Sequence, residues 1–158
     1  MGISDGNNNT GGAPVLPVKL LRPGAKLPRR GTPGSAGLDL SACIEEPVEI
    51  RRGEIAKIPT GIAIQLEPGQ VCLVFGRSGL GARHGVVPAN AVGVVDSDYR
   101  GEVTVFLTCQ KEEGYTVQPG ERVAQMVILP VAMPEPVEAR ELDETQRGAG
   151  GFGSTGAG

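Results

Sequence analysis

The sequence predicts an all-β fold, a jelly-roll-like barrel or sandwich. Three observations carry that expectation. Glycine is 25 and proline 13 of the 158 residues, too many for a helical bundle, because both residues break helices. Short apolar runs recur between turn signals from Val15 to Met133, as strands do. No long stretch carries the helical apolar period. The length sets a prior of one domain, and 39% hydrophobic residues suffice for one core.

Taken in order, residues 1–14 (MGISDGNNNTGGAP) have almost nothing to bury and read as a flexible tail. TGIAIQL (60–66) alternates, with Ile62, Ile64 and Leu66 on one face. QVCLVFG (70–76) and ERVAQMVILPVAM (121–133) are more continuously apolar, as strands buried on both faces would be. GEVTVFLTC (101–109) alternates through Val103, Val105, Leu107 and Cys109. RRGE (51–54), EPGQ (67–70), KEEG (111–114) and QPGE (118–121) are the turns. A helix of a turn or two fits SGLGARHG (78–85), and EPVEAREL (135–142) reads as one further strand. In RGAGGFGSTGAG (147–158) six of twelve residues are glycine. Composition alone suits a frayed end; the functional reading is a flap that orders over an anionic ligand, with donors from Arg147, Ser154 and Thr155. The domain reading is a tail over 1–14, a barrel over 15–134, and an arm with its flap over 135–158.

Charge and residue counts exclude several functions. Lys+Arg is 15 and Asp+Glu 18, a formal net charge of −3, against a general DNA-binding surface. No apolar run approaches the roughly 18 residues of a membrane span, and the N-terminal residues lack the features of a secretory signal. Cys43, Cys72 and Cys109 are far apart with no CxxC pair, so a structural zinc site is not expected. The odd number suggests reduced thiols, buried as small hydrophobes, in a cytoplasmic protein. His84 is the only histidine, and a Ser-His-Asp triad would have to use it.

Three short segments carry candidate chemistry. AGLDLSA (36–42) sets Asp39 in an apolar alternating stretch, where a lone acid is commonly a cap or turn residue. Arg77, Ser78 and Gly79 join a guanidinium, a hydroxyl and a glycine amide, a compact phosphate cradle. VDSDYRGE (95–102) gathers two carboxylates, a tyrosine and an arginine between Asp96 and Arg100, a pattern equally suited to a solvated hairpin turn. GxxxxGK[ST] is absent, so no P-loop is present.

Together these segments are far more specific. AGLDLSA (36–42), GRSGLGARHG (76–85), NAVGVVDSDYRGEV (90–103), GERVAQM (120–126) and RGAGGFGSTG (147–156) stand in the order of the five motifs of the trimeric dUTP pyrophosphatase (dUTPase) family. The chain resembles that family, in its bacterial form, over roughly residues 15 to 156. Gly76 departs from the proline usual before the Arg-Ser-Gly.

The resemblance implies hydrolysis of dUTP to dUMP and pyrophosphate, which limits uracil in DNA and supplies dUMP for thymidylate synthesis. It implies a jelly-roll barrel of the β-clip kind in a homotrimer, with each site built from three chains. Asp96 matches the aspartate that activates water for attack on the α-phosphorus. A carboxylate is a weak base at neutral pH, so its merit would come from position. Asp39 matches the aspartate that touches hydrated Mg²⁺, the implied cofactor. Arg77, Ser78, Gly79 and Gln125 match the phosphate-binding residues. Asn90, Val94 and Val95 belong to the hairpin that reads uracil, and Tyr99 matches the ring that packs under the deoxyribose. Arg147, Gly153, Ser154 and Thr155 match the tail that clasps the γ-phosphate, and Phe152 matches the aromatic that stacks on the base. A dCTP deaminase of the same fold, and a non-catalytic nucleotide-sensing jelly-roll module, are the alternatives. No membrane or nucleic-acid partner is expected.

Overall fold

Short antiparallel strands make up almost all of the regular structure. The structure is a computed structural model and describes residues 14–151. In chain order the elements are β1 (Val18–Leu20), β2 (Leu38–Ser41), β3 (Val48–Ile50), β4 (Ile55–Pro59), β5 (Ile62–Ile64), β6 (Gln70–Phe75), α1 (Ser78–His84), β7 (Val86–Pro88), β8 (Gly93–Val95), β9 (Thr104–Cys109), β10 (Tyr115–Val117) and β11 (Arg122–Pro130). They pair as β2-β11-β6-β8, β4-β9-β7, β1-β5 and β10-β3. Every pairing is antiparallel. Neighbours in sequence are often not neighbours in a sheet, as expected of a jelly roll.

The core lies between the sheets. Leu40 of β2, Ile58 of β4, Leu107 of β9 and Met126 of β11 are fully buried there. Alternation decides which side chains enter. In β9, Val105, Leu107 and Cys109 point in while Phe106 stays exposed, as period two requires. Thr60 is the buried polar residue among the described ones, and its hydroxyl donates to the carbonyl of Val103. The helix expected over 78–85 is α1. It stops where Gly85 turns left-handed (φ +66°) and its amide donates to the carbonyl of Gly81.

Four expectations are corrected. β6 is buried on one face only: Cys72 and Val74 are inside, while Val71, Leu73 and Phe75 are half-covered. β11 ends at Pro130, short of Met133, and is not buried on both faces: Val123, Ala124 and Met126 are inside, while Val127 and Ile128 are half-covered and Arg122 and Leu129 are exposed. Residues 135–142 form no strand, because no strand among the described residues pairs with them to complete a ladder. Cys43 is half-buried, unlike Cys72 and Cys109. Burial pushes the Cys72 thiol up to about 11. No helix among the described residues is long and apolar enough to cross a membrane. The tail expected over 1–14 lies outside the described residues except for Pro14.

Candidate active site

Asp39 stands on β2 directly across from Gln125 on β11. Residues paired across a ladder point to the same side of the sheet. Ser41 pairs with Arg122, and the register shifts between Arg122 and Ala124. This bulge matters. Positions 122 and 125 of a regular strand would face opposite sides, but the extra residue puts Arg122, Gln125 and Asp39 on one side. Val123, Ala124 and Met126 then serve the core.

The end of β6 completes this cluster. Nε of Arg77 donates to Oδ1 of Asp39 at 3.1 Å, and Nη1 of Arg122 donates to Oδ2 at 3.0 Å. Arg77 Nη1 also donates to the carbonyl of Arg122 at 3.2 Å. Nε2 of Gln125 donates to the carbonyl of Gly76 at 2.9 Å. Gly37 makes room for that amide, and Gly76 makes room for Pro88. A Cβ on Gly37 would collide with Oε1 of Gln125, and one on Gly76 would lie 2.9 Å from Cδ of Pro88. Ser78 and Gly79 open α1, where backbone amides have no acceptor within the helix. Asp39 and Arg122 face a groove of about 790 Å³ that Lys26, Arg29 and Arg30 also line.

The donor set suits a hydrated magnesium ion and not a protein cage. Among the described residues no group of three or more His, Cys, Asp or Glu is placed to hold a metal. Each oxygen of Asp39 has one guanidinium partner and keeps a further lone pair that a metal-bound water can use. Magnesium retains waters and takes substrate phosphates with few carboxylates.

A second cluster lies around β8. Asn90, Val94, Val95, Asp96 and Tyr99 line one cleft of about 420 Å³. One edge of β8 pairs with β6; the other has no strand partner among the described residues, so its outward backbone groups are open to a partner. Before it, a three-residue turn closes with the Val92 amide on the Asn90 carbonyl at 2.7 Å. Its central residue, Ala91, has φ +61°, a strained γ-turn geometry. After it, the Tyr99 amide donates to the Asp96 carbonyl at 3.2 Å. Nη1 of Arg100 caps that turn through the carbonyls of Ser97 (2.7 Å) and Tyr99 (3.0 Å). The segment is therefore both a solvated turn and the wall of a cleft.

The two clusters occupy different cavities of the chain. Arg147 joins neither: its Nε donates to the carbonyl of Gly150 at 2.9 Å, within its own turn. Phe152, Gly153, Ser154 and Thr155 lie outside the described residues. His84 packs on Tyr115, ring centroids 5.0 Å apart, which gives the lone histidine a structural place. Sequence reasoning missed Arg122 because the bulge that aims it leaves no mark in the apolar pattern.

The site is that of a nucleotide hydrolase built on a jelly roll. The dUTPase family model matches residues 24–156, and the chain belongs to the dUTPase family. The deoxyuridine 5'-triphosphate nucleotidohydrolase of Desulfitobacterium hafniense is 53% identical over 132 residues, covering 83% of this chain and 87% of that one. A variant dUTPase of Staphylococcus bacteriophage 80alpha, solved with dUpNHpp, superposes with a TM-score of 0.79 at 27% identity. It covers 92% of this chain and 100% of its own. A variant dUTPase of S. aureus phage phi11, described for its coordination of a structural Mg(II) ion, has a TM-score of 0.73 at 25% identity. That match covers 81% of this chain and 98% of the phage enzyme.

Proposed function

We propose that this dUTP-hydrolysing enzyme works by water attack on the α-phosphorus, with Asp96 as the base. The water oxygen bonds to phosphorus, the bond from phosphorus to the α,β-bridging oxygen breaks, and Asp96 takes the water's proton. The products are dUMP and pyrophosphate. The observation that carries this reading is the position of Asp96, at the end of β8 on the rim of the cleft that Asn90, Val94, Val95 and Tyr99 line. A carboxylate held in place gains from orientation what it lacks in basicity.

The open edge of β8 suits a uracil edge, whose N–H and carbonyls complement backbone groups as a base would. Cytosine would set its amino donor against a backbone donor. The Tyr99 ring lies under the deoxyribose and leaves a ribose 2'-hydroxyl neither room nor partner, at a desolvation cost of ~1–3 kcal/mol. Arg77, Ser78, Gly79 and Gln125 hold the phosphates. The tail brings Arg147, Ser154 and Thr155 to the γ-phosphate and Phe152 to the base. Asp39 would hold a hydrated Mg²⁺ through water, and the ion would supply charge neutralisation for the triphosphate.

The working unit is a homotrimer in the cytoplasm, with each site shared between chains. Three observations support a site shared between chains. Asp39 and Arg122 line one cavity and Arg77 and Ser78 a second, and both are separate from the base cleft. β8 is an edge strand. Val137 and Leu142 are 84% and 87% exposed, as apolar side chains are when a neighbour is to cover them. Replacing Asp96 by Asn tests the mechanism: turnover should vanish while dUTP binds within a few-fold of the parent. Comparable turnover would remove Asp96 from the role of base. Assaying pyrophosphate against ammonia release from dUTP and dCTP separates hydrolysis from deamination, and silence in both would mark a sensor.

A further inference from the structure

Glu102 joins three separate segments of chain beside the base cleft. Its Oε1 accepts from Nη2 of Arg22 at 2.6 Å and from the amide of Gly61 at 2.7 Å. Its Oε2 accepts from Nη1 of Arg22 at 3.2 Å. This is the two-pronged geometry in which a guanidinium fixes a carboxylate most firmly. Backbone bonds carry the same junction further: the Leu21 amide reaches the Gly61 carbonyl, and the Val103 amide reaches the Ile62 carbonyl, both at 2.8 Å. Arg22 holds the Glu102 carboxyl below the usual carboxylate range, chiefly through their hydrogen bond.

The backbone of the same residue serves Tyr99, whose hydroxyl donates to the Glu102 carbonyl at 3.1 Å. A Cβ on Gly101 would lie 2.6 Å from Cζ of Tyr99, so the ring rests directly on the backbone between them. Tyr99 is 46% exposed. Core packing therefore does not fix its ring; the Gly101 backbone and the Glu102 carbonyl do. Tyr99 and Glu102 both line the cleft.

We propose that Arg22 and Glu102 are positioning residues for sugar discrimination. Their ion pair holds the Gly101–Glu102 backbone on which the Tyr99 ring lies, and so sets how strictly a ribose 2'-hydroxyl is refused. The inference rests on the reading of Tyr99 as the ring that faces the sugar. A loosened ring gives the 2'-hydroxyl room, so the change appears as relaxed selectivity and not as a uniform loss.

The test compares kcat/KM for dUTP and UTP in the full-length protein and in Arg22→Met, Glu102→Gln, their double variant, Tyr99→Phe and Tyr99→Ala, with a melting curve for each. Arg22→Met and Glu102→Gln should each lower the dUTP-to-UTP ratio about 3–10-fold, with KM changing more than kcat. The double variant should be no worse than the poorer single one, because both remove one contact. Tyr99→Phe cuts only the tether to the Glu102 carbonyl and should lower the ratio with the melting temperature unchanged. Folded clamp variants that keep the parent ratio while Tyr99→Ala collapses it would overturn the proposal and leave the sugar role of Tyr99 standing. If Tyr99→Ala also keeps the ratio, both fall. Should the clamp variants fail to fold, Tyr99→Phe decides alone, and an unchanged ratio there overturns the proposal.

Discussion

Nε of Arg77 donates to Oδ1 of Asp39 at 3.1 Å, joining residues 38 positions apart into one charged unit. Arg122 takes the other carboxylate oxygen. On the function proposed above, Asp39 aims the guanidinium that holds phosphate as well as offering charge to a hydrated cation.

Asp39→Asn should therefore lower kcat/KM for dUTP even at saturating magnesium. Losing a charge-assisted contact costs ~1.5–3 kcal/mol, roughly 10–150-fold in rate. Steady-state kinetics across a magnesium titration checks this. Full recovery at high magnesium would mean that Asp39 acts on the metal alone.

Gly37→Ala puts a methyl where Oε1 of Gln125 sits. The amide must swing away and lose its bond to the Gly76 carbonyl. One hydrogen bond of ~0.5–1.5 kcal/mol predicts a fall in kcat/KM of roughly 2–12-fold. The long side chain can yield, so the melting temperature should move little. An active variant with parent kinetics would show that Gln125 need not hold this position.

Ala91 is the described non-glycine residue with positive φ. A side chain in that region costs about 1–2 kcal/mol, offset in part by the extra unfolded-state freedom of glycine. Ala91→Gly should stabilise the fold by about 0.5–1 kcal/mol in denaturant unfolding. A destabilised variant would mean that the turn is not strained.

Acid should weaken the Arg22–Glu102 contact. The folded Glu102 carboxyl titrates below its usual range because Arg22 donates to it. A depressed acid contributes stability above its unfolded pKa, about 4.3, and loses it as pH falls through the folded value. The melting temperature of the parent should exceed that of Glu102→Gln near neutrality, and the gap should close below about pH 4.3. A gap that persists at low pH would place the effect in packing instead of charge.

Much of this protein is legible in its sequence where one residue's neighbours decide its place. The alternation through Val103, Val105, Leu107 and Cys109 names the buried face of β9 and of the residue before it, and all four are buried. The glycines around α1 leave it as short as expected. Legibility fails where a partner far along the chain decides. Arg22 and Glu102 are 80 positions apart and carry no joint signal. Arg122 reaches Asp39 only through a bulge. EPVEAREL has apolar residues enough for a strand, but a strand also needs a neighbour to pair with.

The most direct test of the shared, Asp96-based site mixes two inactive proteins. One is full-length Asp96→Asn; the other keeps Asp96 but lacks residues 147–158. After verified subunit exchange, hybrid trimers should recover dUTP hydrolysis, because an intact Asp96 and an intact tail then meet from different chains. A mixture that stays inactive would contradict the account.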